Sequence, residues 1–199
     1  QIIHYEKEMQ KLFITLILFF STFLFSNSKP VAIVVHGGAG WFENMPEGQV
    51  EGIMKGLEDS MNIGYEIIIN GGSSLDAVEQ AIIHLENDPL FNAGKGAVYT
   101  SELRQELDAS IMHGLNNNAG SVASVTNVKN PISLARYVME NTEHVMFSSK
   151  GAERVAKDAG LDIVYPSYFY QKDRLDDAKR IKKEKNKMGT VGVVALDME

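Results

Sequence analysis

The run Val31-Ala32-Ile33-Val34-Val35 is unbroken, mostly β-branched, and passes straight into His36-Gly37-Gly38-Ala39-Gly40. β-Branched side chains are stiff at χ1 and pack well on a pleated surface, and an apolar run without polar alternation is the pattern of a buried strand. The chain must therefore build a sheet and cover it. The glycines that follow open the backbone at the strand's exit to torsions closed to other residues. A second run of this kind, Val191 to Leu196, is entered through Lys187-Met188-Gly189-Thr190.

Between these strands the spacing predicts helices. From Pro46 to Ile69, Val50, Ile53, Met54, Leu57 and Met61 recur at helical intervals, and Asn70-Gly71-Gly72 ends the segment. Ser74 is expected to cap a second helix with Leu75, Val78, Ala81, Ile82 and Leu85 on its apolar face, stopped at Asp88-Pro89. A glycine-bearing loop to Gly96 leads to a short strand at Ala97–Thr100, then to strands at Leu107–Met112 and Ser121–Val128 joined by an Asn- and Gly-rich turn. Pro131 opens a third helix, His144–Ser148 reads as a strand, and Ala152–Ala159 as a fourth helix ended by Gly160. Residues 171–187 hold only Leu175, Ala178 and Ile181 among dense mixed charge, which suits a solvated helix with pairs of the Asp176–Arg180 type and also an exposed, disordered tether, two readings that are not exclusive.

The chain begins with Gln1 rather than Met and stops shortly after its last strand, so it reads as a fragment of a longer protein. Met9 is read as the true start. Lys11 and the apolar Leu12–Phe25, with Ser26-Asn27-Ser28 before Lys29, then form a cleaved secretory signal. That stretch falls short of the ~20 residues needed to span a bilayer, so no stable membrane anchor is expected and the protein is placed as exported, periplasmic or secreted. The remainder keeps the formal net charge of -7, because Lys7 and Lys11 balance Glu6 and Glu8. An acidic chain without a basic stripe does not bind nucleic acid. With no cysteine, disulfides and thiolate metal sites are excluded.

Several chemistries find no support. His36-Gly37-Gly38 could serve as an oxyanion loop of the α/β-hydrolase kind, but no Gly-x-Ser-x-Gly elbow accompanies it. Glu43 replaces the third glycine of a dinucleotide fingerprint after Gly38 and Gly40, and Gly94-Lys95-Gly96 is not a phosphate loop. His4, His36, His84, His113 and His144 show no metal-ligand spacing. Gly189-Thr190 is different. A threonine hydroxyl needs an adjacent base, and an N-terminal threonine carries one in its own α-amine, of pKa about 7.7–8.0. Cutting Gly189-Thr190 would free that amine, and glycine leaves the attacked carbonyl sterically open.

Four stretches in this order resemble one family: His36-Gly37-Gly38-Ala39-Gly40; Asp88-Pro89-Leu90-Phe91-Asn92-Ala93-Gly94-Lys95-Gly96-Ala97-Val98; Glu106 to Met112; and Met188-Gly189-Thr190-Val191-Gly192. Asn130-Pro131-Ile132 and His144-Val145-Met146 add to the likeness. They are similar to the N-terminal part of the plant-type L-asparaginases, or isoaspartyl peptidases, among the N-terminal nucleophile hydrolases.

The resemblance implies an α+β fold, a four-layer αββα sandwich. It divides the chain into residues 1–28 upstream, 29–189 as an α-subunit with a charged linker at about 171–188, and 190–199 as the start of a β-subunit. It implies autocleavage between Gly189 and Thr190, with Thr190 the nucleophile and its freed amine the base, and no cofactor for catalysis. Asn92 is expected beside the nucleophile, and His36, Gly37 and Gly38 near the scissile bond. A structural sodium ion is expected on the backbone carbonyls of Leu85, Glu86, Asp88, Phe91, Ala93 and Lys95, although an apolar residue is more usual at position 95. The implied substrates are β-aspartyl dipeptides and L-asparagine, releasing L-aspartate through an acyl-enzyme. The implied partners are the chain's own β-subunit and a second copy, as (αβ)2. Glycosylasparaginase activity is the alternative within the enzymes, and an exported binding protein of the same fold, without activity, the alternative outside them. The family's substrate-clamping groups have no counterpart within the 199 residues, and the chain holds Thr190 and one strand of the second subunit without most of the sheet that should hold them, so residues 29–199 alone are expected to be inactive.

Overall fold

In the computed structural model, residues 30–38, 45–184 and 191–197 are described. Met9, the leader at residues 12–28, Ala39, Gly40, the end of the charged linker, Gly189 and Thr190 lie outside the described residues. The elements run β1 (Ala32–His36), α1 (Glu47–Ile69), α2 (Ser74–Asn87), a 3-10 turn (Gly94–Gly96), β2 (Leu107–Met112), β3 (Ala119–Val125), α3 (Pro131–Asn141), β4 (Met146–Ser148), α4 (Ser149–Asp158), a second 3-10 turn (Pro166–Phe169), α5 (Lys172–Glu184) and β5 (Gly192–Leu196). Mixed helix and sheet agrees with the α+β class. None of the described helices is long and apolar enough to cross a membrane.

The strands form two sheets. β1 pairs antiparallel with β5, from Ala32↔Leu196 to His36↔Gly192. β2, β3 and β4 form the second, with β2 and β3 antiparallel and β3 and β4 parallel. The first run was expected to be buried on both faces, and here the structure differs. Ala32, Val34 and His36 are exposed while Ile33 and Val35 turn inward, and Val34 is 66% exposed with Val194 at 73% on the partner strand. Side chains alternate across a strand, and among the described residues helices α1 and α2 cover one face of this two-stranded sheet.

Helix α1 shows why it can lie so close. Its buried stripe is Ile53, Gly56, Ser60, Gly64 and Ile68, at three- to four-residue spacing, whereas Met54 and Met61, expected on the apolar face, are 58% and 40% exposed. Small residues bring the backbones together. A Cβ at Gly64 would overlap Ile33 Cδ1 and press on the Ala77 carbonyl oxygen, and Ser60 Oγ donates to the Ala81 carbonyl at 2.9 Å. Apolar periodicity alone misses such a seam, because glycine and serine carry no hydrophobic signal.

Other boundaries moved for local reasons. The cap of α2 is Ser73, one residue earlier than expected, whose Oγ accepts from Asp76 N. Ala97–Thr100 is not a strand but contributes a single bridge, Tyr99↔Gln105. β3 starts two residues before the expected Ser121 and stops at Val125, because Thr126 N and Oγ1 both donate to the buried Glu153 carboxylate on α4. Residues 172–184 are helical, with surface pairs Lys172–Asp176 and Asp177–Arg180, so Arg180 takes the carboxylate three residues back rather than Asp176. In the core, α3 lies directly on the second sheet: a Cβ at Gly120 would overlap the Ala135 carbonyl oxygen, and Ile132, Ala135, Val138 and Met139 are buried as their spacing predicts.

Candidate active site

The site grows from the end of α2. Proline at position 89 drives its predecessor out of the helical region, and Asp88 adopts φ -98°, ψ 118°. The Asp88 carboxylate then accepts from Leu90 N at 2.9 Å, an Asx turn. Leu90 N is the group that would have continued the α2 ladder onto the Glu86 carbonyl, so the helix ends there. Phe91 turns inward and is 1% exposed. Asn92 Oδ1 accepts from Val98 N at 3.0 Å, closing the loop across the Gly94–Gly96 turn.

Phe91 joins this loop to the exit of β1. A Cβ at Gly37 would lie 3.3 Å from the Phe91 ring and 3.0 Å from Leu57, and one at Gly56 would lie 2.7 Å from the same ring. Gly38 follows with φ +102°, a torsion that suits glycine. His36 is exposed and pairs with Gly192, two residues after Thr190 in sequence. The structure thus brings His36, Gly37 and the loop bearing Asn92 together at the start of β5. Gly189 and Thr190 themselves lie outside the described residues. The described role of Asn92 is that of a turn former.

The carbonyl groups expected to hold sodium can be tested against this backbone. Gly94 has φ +49°, and a Cβ there would overlap the Glu86 carbonyl oxygen; one at Gly96 would overlap the carbonyl oxygens of Phe91 and Pro89. Leu85, Asp88 and Ala93 each accept one backbone hydrogen bond, from Asp88, Phe91 and Gly96, which leaves a second lone pair on each oxygen. A tight turn of carbonyl oxygens fits a hard cation. The Lys95 side chain turns to the Tyr168 ring, its Nζ 4.9 Å from the centroid, so its unusual identity does not alter the backbone donors. Among the described residues no cluster of three or more His, Cys, Asp or Glu is placed to hold a metal ion.

The Glu86 side chain has a role that the sequence did not signal. It is 3% exposed, with Oε1 accepting from Ile132 N and Oε2 from Asn130 Nδ2, so it caps α3 in place of the Asn130 side chain. Burial pushes its pKa up to about 8, against the opposing hydrogen bonds from Asn130 and Ile132 and with a smaller push from the Glu79 charge. Raised from 4.5, it binds a proton in the fold that the unfolded chain releases. Its stabilising contribution is therefore complete below about pH 4.5 and is lost as pH rises to about 8. Urea melts across pH 5 to 8 are expected to show stability falling by up to about 1.4 kcal/mol per pH unit, with the slope flattened in Glu86→Gln. An equal slope in that variant would refute the assignment.

A cleft of about 430 Å3 lies between Tyr99, Gln105, Phe169 and Tyr170, and no residue named for the site lines it.

Comparison with known proteins places this architecture. A family model described as "Asparaginase" matches residues 28–199. The chain is 40% identical over 178 residues to a Xenopus laevis protein named isoaspartyl peptidase/L-asparaginase, covering 86% of this chain and 56% of the relative. A Danio rerio protein of the same name is 37% identical over 175 residues, covering 84% and 56%. A plant-type L-asparaginase of Pyrococcus horikoshii is 41% identical over 155 residues, covering 77% and 48%. The chain spans about half the length of the curated relatives it matches. With most of its length matched by the family model and by these relatives, the chain belongs to the asparaginase family.

Proposed function

We propose that the complete protein is a self-cleaving threonine hydrolase that releases L-aspartate from β-aspartyl dipeptides and L-asparagine. The observation that carries this reading is the β1–β5 register. It sets His36 opposite Gly192, two residues after Thr190 in sequence, and Gly37 beside Phe91 in the loop that bears Asn92. The names of the relatives supply the substrate class.

In the first step the Thr190 hydroxyl attacks the Gly189 carbonyl carbon. The C–N bond breaks as the new C–O ester forms, and the proton lost by the hydroxyl ends on the freed amine. Water then hydrolyses the ester, returning the hydroxyl and leaving Thr190 as a new N-terminus. In turnover the neutral α-amine takes the hydroxyl proton, Oγ attacks the substrate's side-chain carbonyl, and the leaving amine departs with that proton. Water releases aspartate from the acyl-enzyme. Asn92, whose Oδ1 accepts from Val98 N, supports the active site beside the nucleophile. A sodium ion on the loop carbonyls would supply rigidity rather than chemistry. Export, and assembly of the cut chains as (αβ)2, complete the proposal.

A denaturing gel of the complete gene product should show two bands, and N-terminal sequencing of the smaller should read Thr-Val-Gly. A single uncut chain with full amidase activity would sink the reading. Parallel assays on a β-aspartyl dipeptide, asparagine and glycosylated asparagine then rank the substrates.

A further inference from the structure

Helix α1 carries a second stripe, outside its core seam. Met54, Met61, Tyr65 and Ile69 follow one another at helical spacing, which at 3.6 residues per turn keeps them within an arc of about 80°. All four are exposed, Tyr65 at 42% and Ile69 at 43%. A single apolar side chain at a surface needs no explanation, but four in line along about 22 Å of helix mark a contact surface. The close approach of α1 to its own neighbours runs through Gly56, Ser60 and Gly64 instead.

The charges around the stripe state what fits on it. Glu58 lies within the same arc and is exposed. Lys55 and Glu66 are exposed on one flank of it, on either side of Met61 in sequence. In an antiparallel pair of identical helices, residues on the same flank of the two copies face each other. With Met61 near the two-fold axis, Met54 of one copy meets Ile69 of the other and Lys55 meets Glu66. Glu58 meets Tyr65, whose hydroxyl can donate to the carboxylate. Each contact then occurs twice, as two-fold symmetry requires. Parallel copies would set Lys55 on Lys55 and Glu58 on Glu58. Lys55 Nζ donates to both Asp59 oxygens within its own helix, which leaves a third N–H for a second carboxylate.

We infer that this stripe of α1 is a two-fold interface, and that its occupant is α1 of a second copy of the chain, running antiparallel. This rests on the proposed (αβ)2 assembly and deepens it by naming the surface. A helix pair of this length lies at the small end of stable interfaces, so its flanking charges fix both register and direction.

The test uses the complete gene product, with self-association measured by sedimentation equilibrium and cutting scored by gel on the same samples. Met61→Lys sets two ammonium groups beside the axis and is expected to weaken association by about 100-fold or more. Lys55→Glu and Glu66→Lys should each weaken it about tenfold, since two flanking pairs become repulsive. Mixed one to one, these two variants should recover wild-type association, because each copy then meets the opposite charge at both positions. If Met61→Lys does not fold, the mixture decides, its substitutions falling on exposed side chains.

A monomeric wild type removes the assembly and this inference together. An unchanged dimer in Met61→Lys, or a mixture that associates no better than its single variants, overturns the interface alone. A lowered Tm in Met61→Lys with the dimer intact would show that the chain's own remaining length covers the stripe, and overturns it too. A protein that follows the charge pattern without ever being cut supports the interface and refutes the hydrolase reading.

Discussion

Thr190→Ala in the complete gene product is expected to give a single uncut band and to lower hydrolysis of a β-aspartyl dipeptide by about 10^4-fold or more, the scale seen when a covalent nucleophile is removed. Two losses combine. Without the hydroxyl the Gly189 carbonyl has no neighbouring nucleophile, so the α-amine that would act as base is never exposed, and no group remains to carry the acyl intermediate. Thr190→Ser separates this chemistry from packing, since it keeps the hydroxyl and drops only the methyl. It should still cut, more slowly, and its mature form should retain measurable turnover. Full activity in the alanine variant, or a Thr190→Ser protein as inert as Thr190→Ala, would remove Thr190 from the mechanism.

Phe91→Ala should be the most damaging core change near the site. The ring is 1% exposed and is approached by two glycine backbones, Gly37 at the exit of β1 and Gly56 on α1. Truncating a fully buried phenylalanine costs about 3–5 kcal/mol through lost transfer energy and the cavity left behind. For a domain of this size that corresponds to a fall in Tm of roughly 10 °C or more. The same ring spaces the Asp88–Gly96 loop from the His36–Gly38 exit, so cutting should slow even at temperatures where the variant stays folded. Calorimetry and a cutting time course at low temperature measure the two effects separately. A Tm within about 2 °C of wild type would show that the loop holds its position without the ring.

The pH dependence assigned to Glu86 runs opposite to that of Glu153, the other buried carboxylate among the described residues. For Glu153, burial opposes ionisation but is outweighed by hydrogen bonds from Lys150 and Thr126, so its pKa lies below 4.5. Its contribution to stability is present above that value and is lost only as pH falls further. The Glu86 effect falls in a higher pH window, so the two are read separately.

Helices α2 and α3 could be read from the chain because their signals are local. The serine cap, expected at Ser74 and found one residue earlier at Ser73, the Asp88-Pro89 stop and Pro131 at the head of α3 act within one turn, and the apolar spacing of α3 gave its buried face. Helix α1 was harder to read. Its buried stripe runs through Gly56, Ser60 and Gly64, whose value is the close approach they permit to Phe91, Ala81 and Ile33. Nothing in a glycine states what will approach it. The charged segment at 171–187 posed the same difficulty, since helix and tether share a composition, and only the hydrogen bonds from Arg174 and Lys182 to the carbonyls of Leu90 and Ser101 show the helix docked.

By itself the sequence determined the exit of β1, the helix stops, the ordered stretches that carry the family resemblance and the identity of the candidate nucleophile, all of which depend on neighbours along the chain. The tertiary structure decided which faces are covered, that Glu86 caps a helix 46 residues away, and that His36 and Gly192 stand opposite each other. Those pairings join residues far apart in sequence, and they exist only once the backbone approaches, burial and hydrogen-bond partners of the folded chain are set together.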